Sequence, residues 1–198
     1  KYFGQKNKVY KNLNKINKKR LIFCAASTHY NEELIIGKVH KELKSKYENF
    51  LTIIIPRHIN RIDNITSQLN ELDLKTHLHE PLKNISKDTD IYLVNSYGQT
   101  KSFYSLSKNV FLGGSLIEHG GQNPLEAVRY GCNILHGPNI SNFDEIYNFL
   151  NSQKISFKVE KQRQMIKILN RLLSTKNNQK NVRNKINSMG KRVLKHSL

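Results

Sequence analysis

The sequence predicts an α/β fold, a parallel sheet with helices covering both faces, and three observations carry that reading. Runs that are apolar throughout, such as Leu21-Ile22-Phe23-Cys24-Ala25-Ala26 and Phe50-Leu51-Thr52-Ile53-Ile54-Ile55, suit strands buried on both faces. Between such runs lie segments whose apolar residues recur every three or four positions, the spacing of a helix with one buried face. Small polar residues, glycine and proline gather just after the apolar runs, where a parallel sheet collects its ligands.

Each element follows in order. Residues 1–20 are polar and basic with no clean period, and read as a linker or domain-joining segment. The first strand covers 21–26, and Leu34, Ile35, Val39 and Leu43 place a helix within 29–47. A second strand, 50–55, is stopped by Pro56, and Ile59, Ile62, Ile65 and Leu69 mark a second helix. Short strands are expected at 74–78 and 91–94, then a helix from Gly98 to about Leu106. A strand at 110–112 ends in Gly113-Gly114, and a helix starts near Pro124 and stops at Gly131. Residues 133–135 form a strand, 143–150 a helix and 155–159 a last strand, and two basic helices, about 160–174 and 177–195, close the chain. The organisation is a joining segment (1–20), a sheet domain (21–159) and basic helices (160–198) that pack on that domain or cross to another.

Composition bounds the function. A chain of 198 residues, 37% hydrophobic, fits one domain with a real core. No apolar run approaches the ~20 residues of a membrane span. The opening Lys1-Tyr2-Phe3-Gly4-Gln5 is neither a signal peptide nor a Met start, so a fragment of a longer polypeptide is expected. Cys24 and Cys132 are distant and apolar-flanked, as two buried thiols in a reducing compartment would be. The net charge of +18 favours polyanionic partners: nucleic acid, an anionic membrane surface or phosphorylated substrates. Because the basic residues are spread over all segments, a plain solvated surface explains any single cluster, Lys18-Lys19-Arg20 included, equally well.

The loops after the strands carry the chemistry. Ser27-Thr28-His29 offers a helix cap, with Glu32 or Glu33 reaching back, or hydroxyls and an imidazole for substrate. Arg57, behind Pro56, is either a surface arginine or a guanidinium fork for phosphate or carboxylate, and position alone favours neither. Gly98, within Asn95-Ser96-Tyr97-Gly98-Gln99, permits close backbone approach. The strongest signal is Gly113-Gly114-Ser115 followed by Gly120-Gly121-Gln122-Asn123-Pro124-Leu125-Glu126. Asn123 fits an N-cap, Pro124 the first helical position and Glu126 the third, leaving helix amides open to an anion. Glu126 reads as a capping partner or as an acceptor for ribose hydroxyls. No Gly-Lys-Ser/Thr follows and the Gly-x-Gly-x-x-Gly pattern is missing, which excludes a P-loop ATPase and a dinucleotide dehydrogenase. His119 sits in the glycine loop within reach of substrate, and Gly137-Pro138-Asn139-Ile140-Ser141-Asn142-Phe143 reads as a turn with Ser141 or Asn142 capping the next helix. His77 and His79 alternate on a strand but lack a third metal ligand.

Five stretches in register, Ala25-Ala26-Ser27-Thr28-His29, Ile55-Pro56-Arg57-His58, Phe111-Leu112-Gly113-Gly114-Ser115-Leu116, Gly120 to Glu126, and Gly137-Pro138 with Asn142-Phe143, resemble the C-terminal domain of the Kdo transferases of lipopolysaccharide synthesis. The resemblance covers about residues 20–150 and implies a Rossmann-like domain, one half of a GT-B glycosyltransferase. It implies that Pro56, Arg57, Tyr97, Gly98, Gln99, Asn123, Pro124, Leu125 and Glu126 hold CMP, with Ser27, Thr28, His29, Gly114, Ser115 and Gly121 as further substrate contacts. It also implies an inverting, metal-independent transfer of Kdo from CMP-Kdo to a phosphorylated lipid A precursor, with no cofactor. Arg57 is the candidate leaving-group stabiliser, and the general base, a carboxylate of the N-terminal GT-B domain, lies outside this chain, so the 198 residues are expected to bind donor without turning it over. The implied partners are donor, acceptor, that N-terminal domain and the anionic cytoplasmic face of the bacterial inner membrane, with no nucleic acid. The chain departs from the family at Ser96-Tyr97-Gly98-Gln99 (usually Thr-Met-Gly-Glu), at Gln122 and Asn139 (usually His) and at Tyr30-Asn31 (usually Glu-Gly). The competing readings are another GT-B enzyme, such as a UDP-sugar transferase or epimerase, and a basic nucleic-acid-binding module, which no interleaving of aromatic and basic residues supports.

Overall fold

A computed structural model describes residues 20–80, 85–175 and 182. Seven strands, β1 (Leu21–Thr28), β2 (Phe50–Pro56), β3 (Thr76–Leu78), β4 (Ile91–Leu93), β5 (Asn109–Leu112), β6 (Asn133–His136) and β7 (Ser156–Lys158), form one sheet in the order β3-β4-β2-β1-β5-β6-β7. Every pairing is parallel. The helices are α1 (Glu32–Lys44), α2 (Ile62–Asn70), α3 (Thr100–Tyr104), α4 (Leu125–Arg129), α5 (Asp144–Ser152) and α6 (Gln162–Ser174), with a 3-10 turn, Ile59–Arg61, before α2. The expected Rossmann-like α/β architecture is therefore the one observed.

The apolar runs become central strands because both faces are covered. Along β1, Ile22, Cys24 and Ala26 enter one core while Phe23 and Ala25 enter the other. β2 divides the same way, with Leu51, Ile53 and Ile55 on the first side and Phe50 and Ile54 on the second. Each fully buried Leu, Ile or Phe contributes about 1.5–3 kcal/mol of transfer free energy, so one polar residue in such a run needs a partner. Thr52 in β2 has one: its hydroxyl meets His40 Nδ1 at 2.8 Å, and His40 Nε2 lies 3.4 Å from Asp90.

α1 carries Glu32 and Glu33 in its first turn and Lys41 and Lys44 in its last, matching the helix dipole, and buries Ile36, Val39 and Leu43. Gly37 allows α2 to approach, since a Cβ there would lie 2.8 Å from Leu69 Cδ2. α6 packs on α1 and sends Met165 and Leu169 into the same core. The second expected basic helix, 177–195, and the joining segment before Arg20 lie outside the described residues. Arg20 itself is structural: its Nη2 donates to the carbonyls of Phe50 at 2.7 Å and Thr89 at 2.6 Å.

Several elements are shorter than the spacing suggests. The strand expected from Leu74 begins at Thr76, because Asp73 turns the chain with φ +60° immediately before it. The helix after Gly98 ends at Tyr104, and the one after Pro124 has five residues. None of Ser27, Thr28, Ser141 or Asn142 caps a helix. Ser27 has φ +55°, Asn31 stands at the N-cap of α1 in the left-handed region, and Phe143 precedes α5. Among the described residues, no helix is long and apolar enough to cross a membrane.

Candidate functional site

In an all-parallel sheet the carboxyl ends of the strands share one rim. The loops after β4, β2, β1, β5 and β6 stand side by side along it in that order. The chain winds from β1 to β2 on one side and later returns to place β5 on the other side of β1. The β1–β5 boundary is thus the point where strand order reverses, the place where open parallel sheets hold their ligands.

Glu32 ties together the two loops at that boundary. Its carboxylate, fully buried, accepts the backbone N–H groups of His29 (2.9 Å), Gly114 (2.8 Å), Ser115 (3.2 Å) and Leu116 (3.0 Å). Burial pushes the carboxyl pKa up, and the four amides oppose that shift. The glycine at 113 is dictated by this closeness: a Cβ would fall 2.3 Å from the Ser27 carbonyl oxygen and 2.7 Å from Glu32 Oε2. Glu33, also buried, takes a two-pronged contact from Arg61 at 3.1 and 3.0 Å. The expectation that one of the two glutamates reaches back to the β1 turn holds for Glu32. Its tie to the β5 loop has no local signature and was missed.

Pro56 is buried at the end of β2, paired with Thr28, and the Arg57 amide donates to the Thr28 carbonyl at 2.9 Å while its side chain stands exposed. Thr28 Oγ1 and His29 Nε2 are buried and have no hydrogen-bond partner among the described residues. The His29 ring lies 4.2 Å from that of His119 and 5.8 Å from that of His58, centroid to centroid. Desolvation, then the charges of His119, His58, Arg57 and Arg61, lower the His29 pKa to about 4. This grouping joins three loops; the sequence marks His29 and His119 separately, with nothing to show that they meet.

Beyond β5 the chain folds against the β6 loop. The Gly121 amide donates to Gly114 (2.9 Å), Asn139 to Ser115 (3.0 Å) and Asn142 to Gly120 (3.2 Å). Ser115 Oγ accepts the Gly137 amide at 2.8 Å. Between these loops lies a cleft of about 510 Å³ bordered by Glu118, His119, Gly120, Asn139, Asn142 and Asp144. Neither Arg57 nor Asn123 borders it. What connects those two is the rim itself, through Thr28, Gly114 and Gly121.

The expected N-cap at Asn123 falls one position outside the helix: Pro124 occupies the N-cap of α4, and Asn123 Oδ1 accepts the Leu125 amide at 3.0 Å from the turn before it. Glu126 falls in the first turn, half exposed, and pairs with Lys101 at 3.3 Å instead of closing a capping box. With five residues, α4 contributes little macrodipole. Across the rim, Tyr97 and Gly98 are exposed, and Gly98 has φ +76°. His79 and His77 both engage Tyr92, the first through its hydroxyl at 2.6 Å and the second by stacking. Among the described residues, no group of three or more His, Cys, Asp or Glu side chains has the arrangement of a metal site.

A seven-stranded parallel sheet with glycine loops gathered at the reversal of strand order defines an α/β domain of the Rossmann-like type. No family profile matches the chain. Individual relatives do. It is 35% identical over 131 residues to the 3-deoxy-D-manno-octulosonic acid transferase of Haemophilus influenzae, covering 66% of this chain and 31% of that protein. It is 30% identical over 152 residues to the transferase of the same name from Aquifex aeolicus, covering 77% and 42%. A bifunctional glycosyltransferase/methyltransferase of Fusobacterium nucleatum matches at 32% over 190 residues, 95% of this chain and 28% of the relative. Among solved structures, the C-terminal CMP-Kdo binding domain of WaaA from Acinetobacter baumannii superposes with a TM-score of 0.81 at 25% identity, covering 91% of this chain and 96% of that one. The chain is homologous to the C-terminal domain of the 3-deoxy-D-manno-octulosonic acid transferases. It spans less than half the length of these curated relatives.

Proposed function

We propose that this chain is the donor-binding half of a glycosyltransferase that moves Kdo from CMP-Kdo to a phosphorylated lipid A precursor. One observation carries the reading: the loops holding Arg57, Tyr97-Gly98-Gln99 and Asn123 to Glu126 stand on a single rim, around the reversal of strand order. In this arrangement Arg57 supplies positive charge to the departing phosphate, and hydroxyl acceptors such as Glu126 and Gln99 face nucleoside. Pro56, Pro124 and Leu125 give the loops their shape, and Ser27, Thr28, His29, Gly114, Ser115 and Gly121 line the boundary against which the sugar lies.

The attacking acceptor hydroxyl needs a general base, which this reading assigns to an N-terminal domain across the cleft. The isolated 198 residues then bind donor nucleotide without transferring sugar. Calorimetric titration with CMP tests the proposal. Saturable CMP binding that UMP fails to match supports it, and equal or stronger binding of UMP favours a UDP-sugar enzyme on the same fold.

The net charge of +18 suits an anionic leaflet and a phosphorylated lipid, so we further propose peripheral contact with the cytoplasmic face of the bacterial inner membrane. Co-sedimentation with vesicles that rises with anionic lipid content and falls with salt is the expected result.

A further inference from the structure

We propose that His29, His58 and His119 form an anion subsite for the carboxylate of the transferred sugar acid, adjacent to but separate from the phosphate position at Arg57. The proposal rests on the donor reading above and assigns a part of the donor that the nucleotide loops leave unaccounted for.

The geometry starts from where the three imidazoles come from. His29 follows β1, His58 follows β2 and His119 lies in the loop after β5, so the cluster straddles the reversal of strand order. Its centre is His29, 7% exposed, whose Nε2 has no hydrogen-bond partner among the described residues. That nitrogen faces Gly114, where an added Cβ would sit 3.3 Å from it and 3.0 Å from His119 Cδ2. Glycine at 114, with φ +65°, leaves the space beside the two rings free of a side chain.

The electrostatics select an anion. The charged and titratable groups acting on His29 are His119, His58, Arg57 and Arg61, all basic. The carboxylates close by are already engaged, Glu32 by four backbone amides and Glu33 by Arg61. Without a bound anion, the basic neighbours and burial keep the His29 ring neutral near pH 7. A carboxylate set beside the two rings opposes both effects and favours the Nε2–H form. The chemistry of a ketose acid requires such a neighbour. Its anomeric carbon bears both the phosphate oxygen and the carboxyl group, so two anions must be held side by side. Arg57 and His58, consecutive in the chain, meet that requirement, with His29 and His119 completing the second position.

The test is imidazole nitrogen NMR on the 198-residue chain, titrated separately with Kdo, Kdo methyl ester, inorganic phosphate and CMP. Kdo is expected to move the His29 and His119 signals and to raise the His29 pKa by about one unit, which by linkage is about a tenfold gain in Kdo affinity on acidification. The methyl ester is expected to lose that response. His119→Gln and His58→Gln, at exposed positions that keep the unfolding midpoint, are each expected to weaken Kdo binding about threefold or more, as loss of one charged contact does. An unchanged His29 in the presence of Kdo, an equal response to acid and ester, or a stronger response to phosphate overturns the subsite. CMP binding without an imidazole response to Kdo overturns it alone, while a Kdo response in a chain that ignores CMP overturns the nucleotide reading and leaves the subsite standing.

Discussion

The carboxylate of Glu32, at the start of α1, accepts the amide of Gly114 at 2.8 Å across 82 positions of sequence. With the contacts to His29, Ser115 and Leu116, this one buried group fixes the β1 turn against the β5 glycine loop. It is the brace of the β1–β5 boundary.

Glu32→Gln is expected to cost about 2–4 kcal/mol of stability. Hydrogen bonds to a charged acceptor contribute about 1.5–3 kcal/mol, and the new amide NH₂ would confront backbone donors. Urea unfolding measures the loss. A variant within experimental error of the parent would show that the brace is dispensable.

Gly113→Ala and Gly98→Ala separate two reasons for glycine. At 113 the methyl would collide with backbone at 2.3 and 2.6 Å, whereas at 98 nothing lies within 4 Å and the strain comes from φ +76° alone. Loss of about 1–2 kcal/mol is expected at 98 and clearly more at 113, read from paired thermal melts.

Arg57→Ala should leave stability unchanged, because the amide of residue 57 still reaches Thr28 and the lost side chain is exposed. CMP affinity is expected to fall about ten- to a hundredfold, the 1.5–3 kcal/mol of a charge-assisted contact. Calorimetry beside a melt distinguishes a binding residue from a folding one.

Glu126→Ala removes an exposed pair with Lys101 worth about 0.2–1 kcal/mol. A drop in CMP affinity above about tenfold would therefore belong to the nucleotide and not to the helix. Lys101→Ala, which breaks the same pair but leaves the carboxylate, is expected to spare most of the affinity.

Acid should destabilise the chain through the His40–Asp90 pair. Burial raises the Asp90 carboxyl pKa, but hydrogen bonds from His40, the Lys75 amide and Lys44 outweigh it and hold the group well below the usual carboxylate range. A depressed folded pKa gives stability that is present above the unfolded value, ~3.9, and lost as pH falls through the folded one. His40, lowered mainly by desolvation, adds a loss in the same direction that begins below its unfolded value of ~6.5. Denaturant midpoints should decline steadily from pH 7 to pH 3, and Asp90→Asn should flatten the most acidic part of that decline.

Much of this was legible from residues alone. The apolar runs at β1 and β2 pointed to a parallel sheet, because such sheets are covered by helices on both faces. Glycine and proline marked the loops, and Arg57 and Asn123 drew notice because both follow strands in those loops. The sequence alone also aligned five motifs with one family. What it left open was everything that depends on strands being neighbours in space. Whether Glu32 capped its own helix or served a loop 82 residues away was decided by β5 returning to lie beside β1. The histidine cluster, likewise, exists because three separate strand ends share one rim. Periodicity reports how a segment buries its own face; charge placement across a sheet depends on strand order, which no local pattern encodes.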